Sequence, residues 1–396
     1  MSPAKVNALP IIDIAPFLNQ NSRNADLRAS TAAALHKACV EYGFFYLDIS
    51  AYVDPAVPER LTTLGREFFS LPSEEKEKIA LKNQDYARGY QRLKENVTNG
   101  KADNHDGIDF YKPVEKPDKT RPLWGENQWP TVPEFKDRYE EWVEKMKALG
   151  LIVMEAYEPG LGMTPEEWAG LRAQVDDSFW VMRVIGYPPL PNDDDGFSCG
   201  AHKFLHADPT PSALQVFSSR PGAIALADTS MATQVGSEKG VWINADPIPG
   251  CVVCNIGESK LNIVTSSETL LSTSCVVWEI WTNGLYRSTL HQVVHRGSNY
   301  RYVSCVTMPL VLADLYDQCL VCISSVKRIT LWVSDCIFRI PFFFEPNFDA
   351  EVKPLTAALR LQEPEDRKEC RNSVVYGEFL MAKVGNNFAG GKGKYN

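Results

Sequence analysis

Apolar positions along this chain change their period near residue 179. Upstream, the strongest pattern lies in 133–157, where Phe135, Tyr139, Trp142, Met146, Leu149 and Val153 recur at steps of three and four while Lys and Glu fill the other face. That spacing predicts a long helix with one buried stripe, and such a stripe is core rather than cofactor contact. A second helix is expected from Pro58, placing Leu61, Leu64, Phe68 and Leu71 on one side before Pro72 stops it. Asp26 can cap an earlier helix running to about Cys39, with Leu27, Leu35 and Ala38 among its apolar positions and Gly43 ending it. Pro10–Ile14 and Phe44–Leu47 read as short strands. Residues 84–130, rich in Asn, Asp, Gly and Pro, read as a long irregular connection.

Downstream the period becomes that of strands. Phe179–Val184, Ala213–Phe217 and Val252–Ile256 are short β runs separated by Pro and Gly turns, a rhythm typical of an all-β sandwich or barrel. The expected architecture is therefore a helical N-terminal part followed by a β core. Two stretches break the rhythm, 259–277 and 303–338. Both are rich in Ser, Thr, Val and Cys, and together they hold Cys275, Cys305, Cys319, Cys322 and Cys336.

Composition narrows the class. The 396 residues carry a formal net charge of −9, which argues against a nucleic-acid binder, because such a protein needs a basic face. No run of 18 apolar residues is present, so no membrane-spanning helix is expected. The start, MSPAKVNALP, reads as lacking a secretory signal, and ten cysteines without one read as reduced cytoplasmic thiols. The pairs Cys251/Cys254 and Cys319/Cys322 sit in apolar runs without the turn residues of a zinc knuckle, and are read as buried thiols. There is neither a Walker loop nor a dinucleotide-binding glycine fingerprint.

Of the six histidines, His36 falls inside the first helix and reads as structural or solvated, and His105 falls in the polar connection. His295 is read as solvated. His206-Ala207-Asp208 is different. On a strand, residues two apart face the same side, so imidazole and carboxylate can bind one metal ion. A distant histidine on a neighbouring strand would complete a two-His-one-carboxylate set.

The segment Trp281-Thr282-Asn283-Gly284-Leu285-Tyr286-Arg287-Ser288-Thr289-Leu290-His291 resembles the distal-ligand region of the 2-oxoglutarate- and Fe(II)-dependent dioxygenases of the isopenicillin-N-synthase-like type. Leu9–Asp13, Tyr42–Phe45 and Phe68–Pro72 resemble the N-terminal region of that family. Pro247–Gly250 with Asn255–Gly257, and Phe342–Pro346, resemble later parts of it in the expected order. The resemblance spans nearly the whole chain. It implies a mixed α and β fold with a double-stranded β-helix (jelly-roll) core and a helical N-terminal extension. It implies Fe(II) and the cosubstrate 2-oxoglutarate, with O2 and a small organic molecule as reactants and neither nucleic acid nor membrane as a partner. The corresponding divisions are an N-terminal domain over 1–175, the jelly roll over 176–350, and a C-terminal helix with a flexible tail over 351–396. By the same resemblance His291 is the distal iron ligand, and Arg301 holds the 5-carboxylate of 2-oxoglutarate, for which its planar fork is suited. Tyr187, in Gly186-Tyr187-Pro188-Pro189, matches a tyrosine that touches the cosubstrate, or is a strand-edge aromatic.

The proximal ligands depart from the family pattern. Ser198-Cys199-Gly200-Ala201-His202 matches the lead-in and makes His202 the proximal histidine, but Phe204 stands where the family has Asp. Leu214 follows His202 by 12 positions, closer than the pattern leads one to expect. Two models follow. In one, His206, Asp208 and His291 bind the metal with a shifted strand register, against which Pro209 and Pro211 argue. In the other, His202 and His291 keep their places without the aspartate and iron binding is weak or lost. The alternatives at the level of function are an inactive relative that only binds, or an oxidase independent of 2-oxoglutarate. The stretches 259–277 and 303–338 separate segments that family members join almost directly. They read as insertions of translated non-coding origin, expected to leave a finished barrel as surface excursions or to remain disordered.

Overall fold

Strand β1 (Ile11–Asp13) is followed by a single helical turn at Ala15–Leu18 and then by helix α1 (Ala25–Glu41), which returns to β2 (Phe44–Asp48) lying parallel to β1, with Ile12 opposite Leu47. In the computed structural model of the chain, the residues described are 9–19, 24–95, 97–98, 101–102, 104–187, 197–202, 214–218, 234–235, 238–246, 248–256, 276–286, 289, 291–294, 301–303, 310–311, 342–365, 367 and 372–387. Helix α1 buries Leu35 and Ala38, but Leu27 is 57% exposed and does not belong to its inner stripe. Asp26 sits in the first turn rather than at the cap, which is Asn24, and there it meets the positive end of the helix dipole. The backbone N–H groups of Tyr42 and Gly43 both donate to the Ala38 carbonyl, at 2.9 and 3.1 Å, and Gly43 takes φ +65° to close the helix.

Helix α2 (Ala56–Phe69) begins two residues earlier than its Pro58 signal and buries Leu61, Leu64 and Phe68, with Leu71 half-buried just beyond it. The 84–130 region is not an irregular connection. It contains β3 (Gly89–Gln91) and β4 (Asp106–Tyr111), antiparallel partners with every residue buried. Composition concealed them because their polar residues satisfy one another inside the fold instead of facing water. Helix α3 (Phe135–Leu161) outlasts its predicted end, and its whole stripe from Phe135 to Val153 is buried against α1, α2 and the sheet behind it.

The barrel part is built on β5 (Val181–Tyr187), whose six residues Val181–Gly186 pair with β4 from Tyr111 back to Asp106. A second sheet follows from β6 (Phe197–His202), β7 (Leu214–Ser218) and β8 (Val241–Asn244). Strand β9 (Cys251–Asn255) instead crosses to the N-terminal part and pairs antiparallel with β2, burying the thiols of Cys251 and Cys254 as expected. Helix α4 (Val276–Trp281) precedes β10 (His291–Val294), which completes the second sheet in the order β8-β7-β10-β6.

The remaining strands explain the second unusual stretch. Strand β11 (Arg301–Val303) pairs antiparallel with the end of β5, Arg301 opposite Tyr187 and Val303 opposite Ile185. After β12 (Leu310–Val311), β13 (Phe342–Phe344) pairs with the start of β5 on the same side, Phe342 opposite Met182. Three steps along β5 thus span 39 residues of the other chain segment, 36 more than an unbroken strand uses. The excess equals the length of 303–338. Strands β11 and β13 therefore run in one register along β5, with 36 extra residues of chain between them. One expectation about that segment is corrected: Leu310–Val311 does not leave the barrel but adds to the outer edge of β13, Leu310 opposite Phe344. An exposed β13 edge offers unpaired backbone groups, and a nearby Leu-Val pair can take them up. Of 259–277, only Val276 and Val277 lie among the described residues, where they open α4.

Candidate active site

His291 opens β10 with its ring buried and edge-on to Phe44 of β2, centroids 5.1 Å apart. The approach to it is held from several sides. Thr282 accepts from the Tyr286 N–H at 3.0 Å while its own hydroxyl donates to the Trp278 carbonyl at 2.7 Å. Tyr286 packs on Trp278 and Tyr157 and meets His36 Nδ1 at 3.0 Å, and the Thr289 hydroxyl donates to the Tyr42 carbonyl. His36 is therefore structural, and burial lowers its pKa. The Nδ1 of His291 lies 3.3 Å from the Thr289 carbonyl oxygen. A carbonyl only accepts, so this contact places the proton on Nδ1 and the lone pair on Nε2, the tautomer a metal ligand needs.

The ladder fixes what stands across from it. His291 of β10 pairs with His202, the last residue of β6. Directly opposed residues of an antiparallel pair share one face, with Cα atoms roughly 4.5–5.5 Å apart. His206 and Asp208 lie outside the described residues, as does His295, and among the described residues no group of three His, Cys, Asp or Glu side chains could hold a metal ion. The buried His291 ring, in the ligating tautomer, fits a histidine ligand of an iron centre. Tyr187 is buried at the end of β5, and Arg301 stands opposite it in the ladder.

Several residues near this region were not singled out from the sequence. His105 does lie in the loop just before β4, but it is buried, its ring 5.4 Å from that of Tyr187. On β4 and β5, Asp109 and Arg183 are directly opposed, Arg183 Nε donating to Asp109 Oδ1 at 2.6 Å. Gln91 of β3 completes a triad, accepting from Arg183 Nη2 at 3.1 Å and donating to Asp109 Oδ2 at 2.5 Å. Burial pushes the Asp109 carboxyl up, and the Arg183 guanidinium opposes that rise. A signal for these residues did exist. Asp106-Gly107-Ile108-Asp109-Phe110-Tyr111 alternates around Ile108 and Phe110, and Phe110 turns to the helical side, stacked on Trp129 at 4.2 Å.

Comparison with known proteins agrees with this architecture. Residues 9–132 match the family model described as the N-terminal region of the non-haem dioxygenase in morphine synthesis, and residues 177–308 match that of the 2OG-Fe(II) oxygenase superfamily. The homoarginine-6-hydroxylase 2-ODD-C23.1 of Arabidopsis thaliana is 34% identical over 399 residues, covering 96% of this chain and 98% of that protein. The homoarginine-6-hydroxylase 2-ODD-233 of Oryza sativa subsp. japonica is 31% identical with the same coverage. Among solved structures, a 2OG-Fe(II) oxygenase family protein of Caulobacter crescentus superimposes with a TM-score of 0.61 at 21% identity, over 96% of this chain and 99% of that one. JOX2 in complex with 2OG, Fe and JA superimposes with a TM-score of 0.61 at 18% identity, over 97% and 88%. No helix among the described residues is long and apolar enough to cross a membrane. With a jelly-roll core behind a helical extension and relatives of this kind over almost its full length, the chain belongs to the 2OG-Fe(II) oxygenase superfamily and is an Fe(II)- and 2-oxoglutarate-dependent dioxygenase acting on a small organic molecule.

Proposed function

We propose that this dioxygenase hydroxylates a basic amino acid of the homoarginine type, with iron held by His202 and His291 and 2-oxoglutarate anchored by Arg301 and Tyr187. The observation that carries the metal assignment is the pairing of His291 with His202 across the β10–β6 ladder. It favours the model in which His202 keeps the proximal position over the one in which His206 and Asp208 replace it. The pairing of Arg301 with Tyr187 supports the cosubstrate assignment in the same way. The substrate class rests on the relatives named homoarginine-6-hydroxylase, at 31 to 34% identity over 96% of this chain.

With iron and 2-oxoglutarate bound, O2 would supply the oxidising power for placing oxygen on an unactivated carbon, 2-oxoglutarate being itself oxidised to succinate and CO2. The protein's own residues do the rest. Thr289 fixes the tautomer of His291, and Phe44 excludes water from its ring. Tyr187 offers a buried hydroxyl beside the ladder position of Arg301, where a carboxylate is best met by a planar fork. The thiols of Cys39, Cys251 and Cys254 are buried and unbridged, in keeping with a reducing cytoplasm.

Anaerobic Fe(II) titration of the full chain tests the ligand set. H202A and H291A are each expected to weaken iron binding by more than the roughly 10–100-fold typical of losing an outer-shell partner, and H206A to weaken it little. The reverse ranking of H202A and H206A would give the proximal role to the His206–Asp208 pair, and an equally large loss in D208A would add that carboxylate to the site. Succinate formation stimulated by L-homoarginine tests the substrate.

A further inference from the structure

The contact that sets the tautomer of His291, from Nδ1 to the Thr289 carbonyl, is 3.3 Å long, near the outer limit of an N–H···O bond. A small drift of that carbonyl would end it, so whatever holds Thr289 controls the ring. The Thr289 hydroxyl donates to the Tyr42 carbonyl, 247 positions away in the N-terminal part. Tyr42 follows the last turn of α1, where carbonyls have no helical N–H to accept from and need partners from outside the helix. The end of α1 and the turn that carries the ligand thus satisfy each other.

The next two residues fasten the same turn to the barrel. Gly43, at φ +65°, accepts from the Ile256 N–H at 3.3 Å. Phe44 pairs with Asn255 of β9, and its ring meets that of His291 edge-on. Glycine takes this left-handed step without strain, and through it three consecutive residues reach three points of the barrel. Two residues further on, the Tyr46 hydroxyl donates to the Asp246 carbonyl. That is a bond of the same kind, yet it involves neither His291 nor its turn.

We infer that Thr289 is a positioning residue of the metal site and that its hydroxyl makes the α1–β2 turn part of that site, the N-terminal part holding the His291 imidazole in its ligating orientation before any metal arrives. This deepens, and rests on, the reading of His291 as an iron ligand. A ring oriented in advance has less freedom left to lose on binding. The helical extension then does more than cover the barrel: the end of its first long helix decides which nitrogen of a ligand carries the proton.

The experiment is nitrogen–proton correlation NMR of the metal-free full chain, labelled at the histidine ring nitrogens and assigned with H291Q, followed by anaerobic Co(II) titration. In the wild type His291 should carry its proton on Nδ1 and exchange it slowly. T289V keeps the shape of the side chain without the hydroxyl. It should mix the two tautomers and bind Co(II) roughly 10–100-fold more weakly, the usual cost of losing a partner behind a metal ligand. T289S should restore both. G43A strains the same turn from the helical side and should disturb the ring in the same direction, which decides the matter if T289V does not fold. Y46F removes the comparable bond and should leave tautomer and Co(II) affinity as in the wild type. A wild-type proton on Nε2, a T289V spectrum matching that of the wild type, or an equal change in Y46F would overturn the inference, the last making Thr289 a fastener of the two parts and nothing more. Co(II) binding indifferent to H291A would overturn the ligand assignment alone, since the metal-free spectra still decide the role of Thr289.

Discussion

The two long neighbours of β5 are built in opposite ways. On one side β4 supplies six consecutive residues in one uninterrupted ladder. On the other side the ladder is made by β11 and β13, which hold the same register although 36 extra residues separate them. The continuous side is specified by side chains, with the Asp109–Arg183 pair fixing which residues face each other. The interrupted side is specified by β5 itself, because a formed strand offers the same row of hydrogen-bonding groups to any segment that can reach it. Register, then, is a property of the template as much as of the pairing segment, and a finished barrel can accept an insertion in a central strand without losing its order.

The largest expected effect comes from breaking the register on the interrupted side. Deleting 303–338 joins Tyr302 to Arg339 and leaves Phe342 opposite Met182, so this shortened protein should fold, be more soluble, and bind 2-oxoglutarate as before. Deleting 303–337 instead shifts the Phe342–Phe344 strand by one residue and turns its side chains to the wrong faces. It should unfold at much lower urea than the 36-residue deletion. Equal midpoints for the two deletions would show that β11 and β13 are independent strands, and unfolding of both would make the segment an integral part of the sheet.

On the continuous side the sharper test is D109A. It leaves the Arg183 guanidinium, 13% exposed, without its carboxylate, and removing one partner of a buried pair costs about 3–5 kcal/mol. Urea denaturation should show that loss, and D109N should lose distinctly less. A D109A protein as stable as the wild type would remove the pair from the set of interactions that fix the β4–β5 ladder.

A smaller effect lies where the helical part meets the approach to His291. Burial lowers the pKa of His36 from its ordinary 6.5, so the unfolded chain binds the proton more readily than the folded one. The stability this residue governs is present above pH 6.5 and is lost as pH falls below it. H36Q, which can still accept from or donate to the Tyr286 hydroxyl, should flatten the stability profile below pH 6.5, read by thermal unfolding. A profile unchanged by the substitution would detach His36 from the pH response.

The smallest effect is at the surface. Arg360 donates to both carboxylate oxygens of Glu167, at 2.6 and 2.8 Å, and together with the Thr164 backbone holds that carboxyl down to about 2. Because the folded value is depressed, the contribution is present above the ordinary 4.5 and fades as pH falls toward about 2. E167Q should differ from the wild type slightly at neutral pH and converge with it in acid. Divergence in acid would refute the assignment.

The sequence by itself determined the parts that depend on short-range pattern. The stripe from Phe135 to Val153 needs only a 3.6-residue period to declare a buried helical face, and Trp281–His291 and Phe342–Pro346 carry their family resemblance in contiguous residues. That local information also placed the interruption after Tyr302, where the strand pairing skips 36 residues. The tertiary structure alone decided three things. It made strands of Gly89–Gln91 and Asp106–Tyr111, whose polar residues looked solvated until partners from β5 satisfied them. It buried His105 against Tyr187, a contact across 82 positions of chain. It set His202 opposite His291, a pairing across 89 positions of chain that the pattern of neither segment announces.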